Sequence, residues 1–137
     1  MRNHDIDFAA LGGRIKDILY QYVGIQTFTN TAGERLVEDF FTDHFGQIEY
    51  FKEHPEFWGL YPLENDALGR NVCWAMVRGN SNKTVVLVHH YDIVDIEDFK
   101  TLKPFAFSPD VLAKELAKHK DMLPPEALQD LEDDTFV

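Results

Sequence analysis

The run Thr84-Val85-Val86-Leu87-Val88 is β-branched or leucine throughout and carries no charge. Such a run reads as a short strand buried on both faces, the kind found inside a mostly parallel sheet. It leads straight into His89, His90, Tyr91 and Asp92. Open α/β folds bind their ligands at the carboxyl ends of such strands. Side chains alternate along a strand, so Val86, Val88 and His90 share one face, and Val85, Leu87 and His89 the other. Carried past the strand end, the alternation points His90 and Asp92 the same way. A metal-bound histidine gives one ring nitrogen to the metal and donates its other N–H to a carboxylate. Asp92 stands at the right distance in sequence to hold His90 in that tautomer. Taken alone, the pair also reads as two polar residues opening a loop, or as a core histidine satisfied by a hydrogen bond.

The chain is 137 residues long, which suits one domain with a real core. Hydrophobic residues make up 45%, so disorder is not expected. The formal charge is −11 with no basic cluster, which argues against nucleic acid or an anionic membrane as partner. The acid concentrates at Asp130, Glu132, Asp133 and Asp134, and its simplest role is solubility. One cysteine, Cys73, excludes a disulfide framework and reads first as a small core residue. Met1 to Asp7 is polar and no apolar run approaches a membrane span, so the expected compartment is the cytoplasm.

In chain order, Asp7 opens a helical pattern through Phe8, Leu11, Ile15, Ile18, Leu19 and Tyr22, with Gly24 as a stop. Gly12 and Gly13 interrupt its start. A loop follows to Asn30. Thr31-Ala32-Gly33-Glu34 matches a capping box, and a helix with Leu36, Val37, Phe40, Phe41 and Phe45 on one stripe should end at Gly46. His44 lies on that stripe and reads as packed. Ile48 to Phe51 reads as a strand. Lys52 to Gly69 reads as irregular, with Phe57, Trp58 and Tyr61 in it. Asn71 to Arg78 reads as a strand, and the turn Gly79-Asn80-Ser81-Asn82 should fold it back on Thr84–Val88 as an antiparallel hairpin. Beyond an acidic loop, Ser108-Pro109 starts a helix to about His119, and Leu123-Pro124-Pro125 starts another through Leu131.

Asn71-Val72-Cys73-Trp74-Ala75, then Gly79, then the apolar run closing on His90-Tyr91-Asp92-Ile93-Val94, resembles the co-catalytic zinc exopeptidases and deacylases. Carboxypeptidase G, acetylornithine deacetylase, succinyl-diaminopimelate desuccinylase and aminoacylase belong to that family. Its N-V-x-A strand is followed by a turn and an apolar strand ending in G-H-x-D-x-V. His89 stands where the family has glycine, and Gln26-Thr27-Phe28 replaces its usual I-P-S. The run from His89 to Phe99 is most similar to the arginine-utilisation (RocB-type) branch. The resemblance covers roughly Leu11 to the last residue and includes only the first of the family's metal motifs.

The resemblance implies an α/β fold: part of a three-layer catalytic domain, a mixed sheet with flanking helices. It implies that residues 1–137 are the N-terminal portion of that domain, with the remaining ligands, the general base and a lid domain further on. His90 would be a zinc ligand and Asp92 the carboxylate that orients it. The complete parent would hold two zinc ions, and this portion alone would bind zinc weakly or not at all. The parent would cleave the amide bond of a small peptide or N-acyl amino acid, in arginine or other amino-acid catabolism, and the portion alone would be inactive. An oligomeric full-length protein stays open. So do two rivals: a non-catalytic interaction module that shares the fold, and a different hydrolase using Cys73 or His89.

Overall fold

A computed structural model describes residues 6–132. In chain order its elements are helix α1 (Phe8–Val23), a 3₁₀ turn (Ala32–Arg35), α2 (Leu36–Gln47), α3 (Glu49–Glu53), a 3₁₀ turn (Pro55–Phe57), strands β1 (Trp58–Pro62) and β2 (Asn71–Ala75), a 3₁₀ segment (Glu97–Phe105), α4 (Pro109–Leu116), a second such segment (Ala117–Met122) and α5 (Pro125–Glu132). The chain is thus mixed helix with a small two-stranded antiparallel sheet. It divides into two units: Gln26–Asp95, and the described residues up to Ile25 together with those from Ile96.

In the Gln26–Asp95 unit, the capping residues shape the entry to α2. Thr31 Oγ1 accepts from Gly33 N at 3.1 Å. Glu34 does not return to the Thr31 amide, as a capping box would have it; its Oε1 accepts from Asn30 N at 2.6 Å. The result is one tight 3₁₀ turn before the α-helix begins at Leu36. Gly33 is required there, because a Cβ would lie 2.6 Å from the Gln26 carbonyl oxygen.

The expected strand Ile48–Phe51 is helical instead. Ile48 has extended backbone (φ −74°, ψ 125°), ends α2 and caps α3. The sharp turn brings Phe51 beneath Phe45 and Trp58, with ring centroids 5.4 and 6.4 Å away. Trp58 Nε1 donates to Phe51 O at 3.3 Å. Val37 and Phe51 are the buried hydrophobic residues of the described chain, at 0% and 5% exposure. Packing of Phe51 therefore outweighs the local strand pattern.

Asn71–Ala75 is a strand, shorter than the expected Asn71–Arg78. Its partner is β1, in register from Trp58↔Ala75 to Pro62↔Asn71, and not Thr84–Val88. The segment read as irregular therefore contains a strand. Pro62 ends β1, where its missing N–H costs least. Gly69, at φ 65°, takes the left-handed conformation and its N donates to Asp66 O at 3.0 Å, turning the chain into β2.

The expected central strand Thr84–Val88 belongs to no strand or helix. Val85, Val86, Leu87 and Val88 are 75–92% exposed. A β-branched run favours a pleated surface but forms a strand only beside a neighbour that takes its backbone hydrogen bonds. Only further on is there a trace of pairing: Phe28 and Ile93 form an isolated parallel bridge.

In the other unit, Asp7 caps α1, accepting from Ala10 N at 3.0 Å. The helix runs through Gly12 and Gly13, neither of which has a neighbour within 4 Å of a would-be Cβ. Phe8, Leu11, Ile15, Ile18 and Leu19 remain exposed. Ser108 precedes α4 with Pro109 at its first position, but makes no side-chain cap bond. Asp133 and Asp134 of the acidic end lie outside the described residues. No described helix is long and apolar enough to cross a membrane.

Phe51→Ala should cost about 3 kcal/mol of stability, as truncation of a buried aromatic ring does. Leu87→Ser should change stability by less than about 0.5 kcal/mol, as exposed substitutions do. Urea unfolding midpoints of the two variants check the contrast.

Candidate functional site

The site is assembled around two buried carboxylates. Glu34, in the 3₁₀ turn before α2, and Glu38, in the first turn of α2, are 4% and 5% exposed. A carboxylate taken from water must recover its hydrogen bonds. Glu38 does so on β2, accepting from Asn71 N at 3.0 Å and Asn71 Nδ2 at 2.9 Å. Glu34 Oε2 accepts from Arg70 Nη1 at 2.9 Å. The same guanidinium donates to Asp66 Oδ1 from Nη2 at 2.6 Å and to Asp66 Oδ2 from Nε at 3.1 Å. These bonds hold the Asp66 carboxyl below the usual carboxylate range and raise Arg70 above its ordinary value.

A second layer holds the segment after His90. Tyr91 Oη donates to Asn71 O at 3.4 Å, and Tyr91 O accepts from Thr27 Oγ1 at 2.6 Å. Thr29 N donates to Ile93 O at 2.9 Å and Ile93 N to Thr27 O at 3.0 Å. Residues 27–29 thus clamp residues 91–93 side by side.

The two adjacent histidines part here. His89 lies beside Phe41, with ring centroids 6.2 Å apart. His90 turns outward with its side chain 86% exposed, open to solvent rather than set in a cleft. Its Nδ1 lies 3.0 Å from Asp92 Oδ1 and 3.2 Å from Asp92 O. Both partners are acceptors, so Nδ1 is the donor in these bonds and Nε2 takes no part in them. Asp92 Oδ2 accepts from Thr29 Oγ1 at 2.9 Å. The Thr29 hydroxyl first, and then the His90 ring, hold the Asp92 carboxyl below its ordinary range against partial desolvation.

Thr27 and Thr29 are the residues that sequence reasoning missed. Their signal was faint: two hydroxyls on alternate positions of a loop. Among the described residues, no group of three or more His, Cys, Asp or Glu side chains is arranged to hold a metal ion. His90 with Asp92 beside it would fill one ligand position of a zinc centre, where three protein ligands are the norm.

Two proteins of Bacillus subtilis (strain 168) are similar to this chain. It is 31% identical over 116 residues to the uncharacterised protein YqjN, covering 84% of this chain and 21% of that one. It is 29% identical over 109 residues to protein RocB, covering 78% and 19%. The chain spans about a fifth of the length of these curated relatives. No family model matches it, and no solved structure does.

Cys73 lies in β2 with its thiol pushed up to about 11, chiefly by burial and then by the charge of Glu38. A raised value keeps the thiol protonated at neutral pH, which opposes a nucleophilic role. At pH 8 it should alkylate about a hundredfold more slowly than an unperturbed thiol, gaining about tenfold per pH unit until the pH nears that value. Maleimide or iodoacetamide labelling followed by mass spectrometry checks this. Glu38→Ala, which strips Asn71 of its acceptor, should cost about 1–3 kcal/mol in urea unfolding.

Proposed function

We propose that this chain supplies the first metal-ligand segment of a zinc-dependent amidohydrolase or exopeptidase. The substrates would be small peptides or N-acyl amino acids, in arginine or other amino-acid catabolism. The observation that carries this reading is the His90–Asp92 pair: Nδ1 engaged by the carboxylate at 3.0 Å, with the ring exposed. That is the state a histidine needs to donate to zinc, with its tautomer fixed by a hydrogen-bonded carboxylate. The likeness to RocB supports the same branch.

When bound, zinc would polarise the scissile carbonyl and make a coordinated water a stronger nucleophile. This chain's own part is to hold His90 in one tautomer and one direction. The further ligands and the general base would come from outside it. In this reading Val85–Val88 becomes a sheet strand once further polypeptide covers it. The same exposure suits a non-catalytic module whose partner supplies that cover, and the behaviour of His90 separates the two.

In a longer protein carrying this chain, His90→Ala should remove bound zinc and most amidase activity. Asp92→Asn should lower zinc affinity or activity about 10–100-fold, as loss of a carboxylate behind a metal ligand does. His89→Gly should be tolerated far better. Atomic absorption and an N-acyl amino acid hydrolysis assay read all three. A protein that keeps its zinc and activity as His90→Ala would refute the assignment. For the 137-residue chain by itself, calorimetry should find zinc binding no tighter than about micromolar, since three protein ligands are the norm for zinc.

A further inference from the structure

We propose that Thr29 is a positioning residue that fixes the His90 ring through Asp92; its purpose rests on the function proposed above. Thr29 Oγ1 lies 2.9 Å from Asp92 Oδ2, and the other carboxylate oxygen lies 3.0 Å from His90 Nδ1. The three side chains form a relay of two hydrogen bonds that ends on the ring.

Without a donor on Oδ2, an exposed aspartate turns about its last torsion, which is broad and roughly two-fold. A donor anchored elsewhere removes that freedom. Thr29 is so anchored: its backbone N donates to Ile93 O at 2.9 Å, and Ile93 N donates to Thr27 O at 3.0 Å. The hydroxyl therefore sits on a segment tied to both sides of Asp92, since Thr27 Oγ1 also holds Tyr91 O at 2.6 Å. Thr29 Oγ1 has one proton and two acceptors in reach, Asp92 Oδ2 and Ile93 O, both at 2.9 Å. A hydrogen bond to a charged acceptor is the stronger, so the carboxylate takes it. The β-branched side chain is stiff at χ1, which keeps the hydroxyl on this heading.

The test is the tautomer of His90 in the full 137-residue chain, read from its ring ¹⁵N shifts without metal at about pH 8.5, where an ordinary histidine is neutral. The wild-type ring should favour the form protonated at Nδ1. Thr29→Val keeps the shape and deletes the donor, and should lower that preference about 3–10-fold, less than the full worth of a hydrogen bond to a charged group because the bond acts on the ring through Asp92. Thr29→Ser retains the donor and should stay within about twofold of wild type. In a protein already carrying Asp92→Asn, Thr29→Val should add less than about twofold, because the relay is already cut. An unchanged tautomer in Thr29→Val, an equal loss in Thr29→Ser, or a full further shift on the Asp92→Asn background would each overturn the inference. If valine disturbs the loop, Thr29→Ala deletes the same donor and should give the same shifts in the same cycle. The readout needs no zinc. A relay that passes these tests, in a longer protein that works without His90, would sink the zinc reading and leave the positioning role standing. A failed relay in a protein that does need His90 would sink this inference alone.

Discussion

The burial of Glu34 and Glu38 is the constraint on which the candidate site depends. Each must be met by donors from outside its own helix: Glu38 by Asn71 at the start of β2, and Glu34 by Arg70 just before β2 and by Asn30 N. A helix and a strand are thereby pinned in one register by charge-assisted bonds, in a unit whose apolar core is little more than Val37, Phe51 and their aromatic neighbours. From that pin the order spreads outward. Asn71 O receives Tyr91 Oη, Tyr91 O receives Thr27 Oγ1, and the clamp on Ile93 follows. His90 and Asp92 are held at the far end of this network, with the His90 side chain 86% exposed.

Much of the helical structure was legible because its signals are local. Asp7 as a cap, Pro109 at a first helical position and the stripe of α2 each act within a turn or two of the chain. The misreadings of whole elements concern strands, which are defined by partners. Ile48–Phe51 alternates acceptably for a strand, yet Phe51 finds its burial against Phe45 and Trp58 only by turning helical. Trp58–Pro62 carries a glycine and ends in a proline, which demotes it locally, yet it is the segment that Asn71–Ala75 pairs with. Thr84–Val88 has the strongest strand pattern in the chain, yet among the described residues no strand pairs with it.

The site was legible in its parts and not in its support. The spacing of His90 and Asp92 made a hydrogen bond between them a reasonable expectation, because two residues on is within reach of one ring. The separation of His89 towards Phe41 and His90 towards solvent agrees with the strand alternation, even though the strand itself is not formed. Thr29 could not be read ahead, since its contact with Asp92 crosses 63 positions of sequence. Nor could the position of Arg70 between Glu34 and Asp66, which depends on the turn at Gly69.

The exposed run and the exposed imidazole are two aspects of one physical situation. Val88 is separated from His90 by a single residue, so whatever orders the run also fixes the backbone that carries the ring. Ordering a backbone costs about 1–2 kcal/mol per residue, and an unpaired segment has nothing to offset it. Burying Val85, Val86, Leu87 and Val88 would return roughly 1.5–3 kcal/mol for each large side chain fully covered. The gain exceeds the cost only when a neighbouring surface is present. Ring direction from the Asp92 side is set within this chain by the Thr29 bond, whereas on the Val88 side the run is exposed. A cover laid on the run would therefore act on His90 at a distance, completing the second of its two constraints without touching the ring.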